Sequence, residues 1–236
     1  MDPIALIPKR LRRIGRDYIE RRGLRPVFDP AKCDTVWIDV GAHLGEGTLD
    51  AATRNPKLLV FAFEPNWVLA RQIMGRAANF VVLPMAVSHA DGFADFFINA
   101  YDGSSSLVRM AEAGLSHWKD FDYMVKSKVV VQTIRLDTFM ELADLDSVDY
   151  LKVDAEGIDL RVIQSAGERL KDIKRVMLEV DVAPDRLYEG ASSRDEVIGF
   201  MTESGFRLVD SESQNAGRQE NLTFASACLA GGGDIL

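Results

Sequence analysis

The 236-residue sequence is poor in the residues that build metal clusters and disulfide frameworks, with two cysteines and three histidines. Cys33 and Cys228 stand far apart and match no metal or redox spacing, so they read as thiols in a reducing, cytoplasmic setting. Long apolar runs are missing too. No stretch approaches the ~18 residues that a membrane-spanning helix requires. Lys9, Arg10, Arg12 and Arg13 are followed by no apolar region and cleavage site of the secretory kind. Positive charge is scarce: 28 Lys and Arg stand against 36 Asp and Glu, for a net charge of −8. Binding to the phosphate backbone is driven by Lys and Arg, so the composition argues against nucleic acid as a partner. Repeats and a Pro/Gly/Ser linker are also absent, which predicts one domain over residues 31–236 behind an N-terminal extension, residues 1–30.

The extension holds the charge that the domain lacks. Residues 1–26 carry eight Lys and Arg against three Asp and Glu, whereas the rest of the chain has a net charge of −13. Ile7, Leu11, Ile14 and Tyr18 share one helix face, so residues 4–22 read as a basic amphipathic helix. Such a helix packs on its own domain or makes a weak peripheral contact with an anionic membrane, without spanning it. The oligomeric state is left open.

Strands are legible at 35–40, 58–64, 80–87, 148–154 and 175–182 as short continuous apolar runs, the mark of strands buried on both faces. The runs at 93–98 and 128–134 alternate instead, and 206–210 and 221–229 close the chain. Helical segments lie between them at 47–55, 66–78, 137–144, 158–172 and 193–204. Asp137 and Ser193 are suited to N-caps, and Gly167 interrupts the fourth helix. This β-α-β alternation predicts an α/β fold with a doubly wound, mostly parallel sheet. The segment 99–126 has no clear period and reads either as a lid or as a surface excursion with a short helix near 108–117.

The most informative stretch is "VWIDVGAHLGEGTLD", residues 36–50, where an apolar run ends on Asp39 and a small-residue turn begins at Gly41. In open α/β sheets, ligands bind beyond the carboxyl ends of the strands. The second strand ends in Glu64, placed to accept both hydroxyls of a ribose. NAD, FAD and S-adenosylmethionine all satisfy that much. The spacing G-x-x-x-G-x-G is not the G-x-G-x-x-G of a dinucleotide site, and a carboxylate before the turn suits an ammonium group better than a pyrophosphate. S-adenosylmethionine carries that ammonium and a sulfonium besides. A nicotinamide-dependent oxidoreductase and a non-catalytic, methyltransferase-like binding module are the alternatives.

The ordered series "WIDVGAHLGEGTL", "VFAFEPN", "LPMAVSHADG", "GSSSL", "VQTIRLDTF", "VDYLKVDAEGIDLRVIQSAG" and "VMLEV" resembles the FkbM-type methyltransferases over residues 34–182. "LKVDAEG" is its most specific element. The resemblance implies a Rossmann-like fold of the class I methyltransferase type, with a seven-stranded sheet. It also implies S-adenosylmethionine as cofactor, S-adenosylhomocysteine as product, and methylation of a hydroxyl oxygen on a small natural product or sugar. Carried over by position, Asp39, Gly41, Ala42, His43 and Gly45 face the donor's methionine portion and ribose. Glu64 holds the ribose hydroxyls beside Pro65 and Asn66. Ala86 and Val87 pass the adenine, and Ser105 lines the same edge. His43 departs from the family, which more usually has asparagine at this position.

Methyl transfer to a hydroxyl needs positioning and a proton acceptor. Strand alternation puts Lys152 and Asp154 on one face, and Asp154, Glu156 and Glu179 are expected to cluster at neighbouring strand tips. Close like charges raise one carboxyl pKa and create a base. The same oxygens suit a hard cation such as Mg2+, although no residue is assigned as a metal ligand. Asp154 also serves the cofactor's ammonium. His117, in "SHWKDF", is the histidine best placed to act as a base. Asn221-Leu222-Thr223 matches a glycosylation acceptor, discounted because no secretion signal precedes it.

Overall fold

The computed structural model describes residues 33–112, 124–182 and 186–227. The basic segment 4–22, His117 and Cys228 lie outside the described residues.

Among the described residues, ten strands form two sheets and five α-helices pack with them. The main sheet runs β3-β2-β1-β7-β8-β10-β9. Its strands are β1 (Thr35–Val40), β2 (Leu58–Phe63), β3 (Phe80–Leu83), β7 (Tyr150–Val153), β8 (Arg175–Asp181), β9 (Phe206–Gln214) and β10 (Gln219–Ser226). The first five in spatial order are parallel, and β10 is antiparallel to both β8 and β9. The smaller sheet, β4-β6-β5, combines β4 (Ala86–Val87), β5 (Gly92–Asn99) and β6 (Val125–Ile134). The helices are α1 (Thr48–Arg54), α2 (Trp67–Ile73), α3 (Leu136–Leu142), α4 (Asp159–Gln164) and α5 (Arg194–Glu203).

Alternation along the parallel strands fills two cores. In β2, Leu58, Val60 and Ala62 join Ile73 and Phe80 on one side, whereas Phe63 packs with Leu136 and Phe139 on the other. Phe139 meets Phe61 and Phe63 edge-on, at centroid distances of 5.1 and 4.9 Å, a favoured aromatic geometry. In β1, Ile38 and Val40 belong to the larger core and Trp37 to the smaller. Asp39 therefore shares the side of Trp37, which decides its role below.

Some elements differ from their sequence expectation for readable reasons. The run 80–87 is two strands in different sheets, β3 and β4. Pro84, which has no N–H to give a ladder, sits at the break. The alternating runs 93–98 and 128–134 belong to the smaller sheet, where alternation reflects one half-exposed face. Helix α2 stops at Ile73 rather than Ala78. The fourth helix ends at Gln164, and a 3-10 turn continues from Gly167 to Asp172. Asp137 is not an N-cap. It lies inside the first turn of α3 and pairs with Arg135 at 2.6 Å. Ser193 does cap α5, in a reciprocal box with Glu196.

Candidate active site

From β1 the chain steps outward to β2 and β3, then returns to the other side of β1 for β7 and β8. The crevice at such a switch point is where open α/β sheets bind ligands. A cavity of about 500 Å³ lies there, inside the ~300–1,000 Å³ range of small-molecule sites. The tips of β1, β2, β7 and β8 form its floor, through Val40, Gly41, Glu64, Asp154 and Glu179. Ala86, Val87 and Phe96 of the smaller sheet add an apolar wall, and residues 101–107 close one side. Residues 101–107 of the aperiodic segment are thus a cavity wall. Asn99 donates to the Ser104 carbonyl at 2.7 Å, and Ser106 donates to the Glu156 carbonyl at 2.7 Å.

Gly41 is required by packing as much as by the turn. Its φ is +75°, and a Cβ there would lie 1.8 Å from the carbonyl oxygen of Asp154. The β1 and β7 turns thereby touch backbone to backbone, so the cavity floor has no gap between them. Gly157 plays the same part on the other side, where a Cβ would meet the Tyr188 Cβ at 2.3 Å. Tyr188 donates its phenol proton to the Ser104 carbonyl at 3.0 Å, tying the two walls together.

Glu64 is buried at the tip of β2. Its two carboxylate oxygens accept the backbone N–H groups of His43 and Asn66, each at 2.7 Å. Burial, only partly offset by these bonds, raises its pKa to about 7. His43 lines the cavity mouth at φ +46°. Its Nδ1 lies 2.8 Å from Glu46 and its Nε2 3.2 Å from Asp102, so it clasps the glycine turn to the 101–107 wall.

Asp154, Glu156 and Glu179 converge, with one oxygen from each lying within 4.8 Å of the others. Burial, then the neighbouring charges, drives the carboxyls of Glu156 and Glu179 well above the usual range. Gln219 donates to Glu179 at 2.6 Å. Asp159 caps the loop beneath, accepting from the N–H groups of Ala155 at 2.8 Å and Gly157 at 3.1 Å. Burial raises its pKa to about 7.

Not every residue named from sequence reaches the cavity wall. Gly41, His43, Glu64, Pro65, Ala86, Val87, Ser105, Asp154, Glu156 and Glu179 line it. Asp39, Ala42, Gly45 and Asn66 do not. Asp39 is fully buried on the α1 side, where Thr48 donates to it at 2.5 Å and Lys152 lies 3.3 Å away. The β1–β7 register pairs Asp39 with Lys152, so a buried carboxylate meets a half-buried ammonium. Lys152 also lies 3.3 Å from Asp154. Burial opposes its charge, but Asp39 and Asp154 outweigh that and raise its pKa. Asp39 thus touches the cavity only through Lys152. Ala42 packs in the smaller core, and Asn66 caps α2 by accepting from the Val68 N–H at 3.2 Å. Tyr188, Gln214, Gln219 and Asn221 line the cavity without having been singled out as site residues. They come from distant segments that carry no local pattern.

A doubly wound sheet with an acidic cavity at its switch point, a carboxylate at the tip of β2 and a carboxylate cluster over β7 and β8 defines a class I methyltransferase architecture. The chain belongs to the FkbM methyltransferase family: residues 39–208 match the Methyltransferase FkbM domain. It is 29% identical over 189 residues to the 2-O-methyltransferase NoeI of Sinorhizobium fredii (strain NBRC 101917 / NGR234), covering 75% of this chain and 74% of that protein. Among solved structures it is similar to magnesium protoporphyrin IX methyltransferase (ChlM) from Synechocystis PCC 6803 with bound S-adenosylmethionine. That likeness has a TM-score of 0.44 and 9% identity, covering 90% of this chain and 79% of that one. It is also similar to a 16S rRNA adenine N1-methyltransferase from Catenulisporales acidiphilia, with a TM-score of 0.42 and 11% identity, covering 84% and 87%. Likeness at this level says nothing of the acceptor. The family makes the chain a methyltransferase with S-adenosylmethionine as its donor, and favours neither the oxidoreductase nor the binding-module alternative.

Proposed function

We propose that the protein methylates a hydroxyl oxygen of a small acceptor, with the donor seated over the tips of β1 and β2 and the acceptor over β7 and β8. The observation that carries this reading is the convergence of Asp154, Glu156 and Glu179 on one end of the cavity that Glu64 anchors at the other. The relative named as a 2-O-methyltransferase supports the oxygen as target.

The residues present fit the donor. The cavity has the volume, Ala86 and Val87 offer an apolar wall for an adenine, and the lining is rich in carboxylates to face a cation. Bound S-adenosylmethionine supplies an electrophilic methyl group on a sulfonium. Glu64 accepts the ribose hydroxyls, each of its oxygens keeping a lone pair beyond the N–H that it already holds. Asp154, fixed by Lys152, balances the positive charge of the methionine end. Glu156 and Glu179 are too close to ionise independently, so one carboxyl keeps a proton and the other is the base. It takes the acceptor's hydroxyl proton as the C–O bond forms and the C–S bond breaks, the electron pair leaving with sulfur.

Calorimetry with S-adenosylhomocysteine tests the seating. Glu64→Ala is expected to weaken binding at least tenfold, the loss of a charged hydrogen bond worth ~1.5–3 kcal/mol. Unchanged affinity would move the donor elsewhere. The same three carboxylates suit Mg2+ as a second occupant. If they hold it, calcium-free Mg2+ titrated into the S-adenosylhomocysteine complex gives a heat that Asp154→Asn abolishes. No heat in the wild type rejects the metal.

A further inference from the structure

We propose that the β9–β10 hairpin carries the acceptor-selecting wall of this cavity, and that Asn221 and Gln214 select an uncharged acceptor with a second hydrogen-bonding group beside the methylated hydroxyl. This inference rests on the methyl-transfer reading above.

The hairpin arrives at the site through its register. Strand β10 runs antiparallel to β8, with Asn221 opposite Glu179 and Gln219 opposite Asp181. Residues two apart share a face, so the amides of Gln219 and Asn221 stand beside the Glu179 carboxyl. All three line the cavity, as do Gln214 and Asn215 where the hairpin turns. The four amides are not equivalent. Gln219 is engaged on both ends: its Nε2 donates to Glu179 at 2.6 Å, and its Oε1 accepts from Asn215. Asn221 and Gln214, both half-buried, make no side-chain hydrogen bond to any described residue. Each presents one free acceptor and one free donor group to the cavity next to the carboxylate cluster.

An amide at this position discriminates by charge. Among the described residues lining the cavity, Lys152 is the one lysine or arginine, and Asp39 and Asp154 already engage it. A phosphate or carboxylate on the acceptor would meet carboxylates, with Lys152 already held by Asp39 and Asp154 and the His43 ring by Glu46 and Asp102. A neutral diol meets the opposite situation, because an amide N–H can donate to its oxygen while the amide C=O accepts its proton. A site built to hydrogen-bond a substrate hydroxyl rejects an analogue that lacks it far more strongly than an apolar site rejects a missing methylene.

The test uses the full chain saturated with S-adenosylhomocysteine and three rigid probes, observed by saturation-transfer NMR. The probes are methyl glycosides of neutral hexoses, their 2-deoxy analogues and the corresponding hexuronates. The neutral glycosides are expected to bind, the 2-deoxy analogues at least tenfold more weakly, and the hexuronates not at all. Asn221→Leu and Gln214→Leu should each weaken the neutral glycosides at least fivefold while leaving calorimetric affinity for S-adenosylhomocysteine within twofold. Neutral glycosides that bind both variants as they bind the wild type would overturn the proposal. Hexuronates that bind best, or no binding by any glycoside, would overturn it too. Failure of S-adenosylhomocysteine to bind the wild type would instead overturn the methyl-transfer reading.

Discussion

His43 has a carboxylate on each ring nitrogen, Glu46 on one and Asp102 on the other. A neutral imidazole donates from only one nitrogen, so the full clasp requires the imidazolium. Partial burial works against that charge, but the hydrogen bonds to Glu46 and Asp102 outweigh it and raise the His43 pKa above the usual histidine value. Glu64, the other charged group near the ring, faces the His43 backbone N–H. The sign follows. The clasp contributes fully below ~6.5, the unfolded value, and is lost as pH rises through the higher folded value. An NMR titration of the histidine rings is expected to show a midpoint above ~6.5 that disappears in His43→Gln. A midpoint at or below that value would show that the clasp does not hold in solution. The sequence shows an unusual residue in the glycine turn. It does not show the partner Asp102, 59 positions away, which only folding brings to the ring.

Elements here are held to one another by a few buried polar side chains. Asn79 donates to the carbonyls of Ala52 at 2.8 Å, Asn55 at 3.0 Å and Leu58 at 2.6 Å. It thereby closes the C-terminal end of α1, whose last carbonyls have no partner within the helix, and pins that end to the start of β2. Asn79→Ala removes these donors, leaving the buried Ala52 carbonyl without the one it has here while the Asn55 carbonyl keeps the Leu58 N–H, and is expected to cost ~1–3 kcal/mol. Urea denaturation measures the loss, and an unchanged midpoint would contradict it. Affinity for S-adenosylhomocysteine should not move, because Asn79 lies outside the cavity wall. The elements themselves were mostly legible. Continuous apolar runs marked β1, β2, β7 and β8, and glycines and capping residues marked several helix ends. The split of 80–87 into β3 and β4 was not legible from apolar content alone, because both halves are equally hydrophobic and go to different sheets.

At the scale of the whole molecule, the cavity concentrates buried acid that a positively charged ligand is suited to balance. Burial raises Glu64 and Asp159 to about 7 each. A carboxyl with a raised folded pKa is held protonated in the native state where the unfolded chain has already lost its proton. Stability therefore falls as pH rises from the ordinary carboxylate value towards 7. The ligand-free protein is expected to melt at a higher temperature near pH 5.5 than near pH 8, and S-adenosylmethionine should recover more stability at the higher pH. Calorimetric scans at the two values, with and without the donor, check this. A ligand-free melting temperature that rises over the same interval would refute it. No described helix is long and apolar enough to cross a membrane.

The sequence by itself determined the alternation of strands and helices, the glycine turn after β1, the acid at the tip of β2 and the acids around "LKVDAEG". Each depends on neighbours in the chain, and local periodicity and turn chemistry can be read residue by residue. Tertiary structure decided which of those acids face the cavity. Strand register turned Asp39 away to pair with Lys152, the packing of β7 against β8 gathered Asp154, Glu156 and Glu179, and the return of β10 set Asn221 beside them. Those outcomes depend on which strands lie side by side and in what register, and that is fixed only when the sheet closes its core.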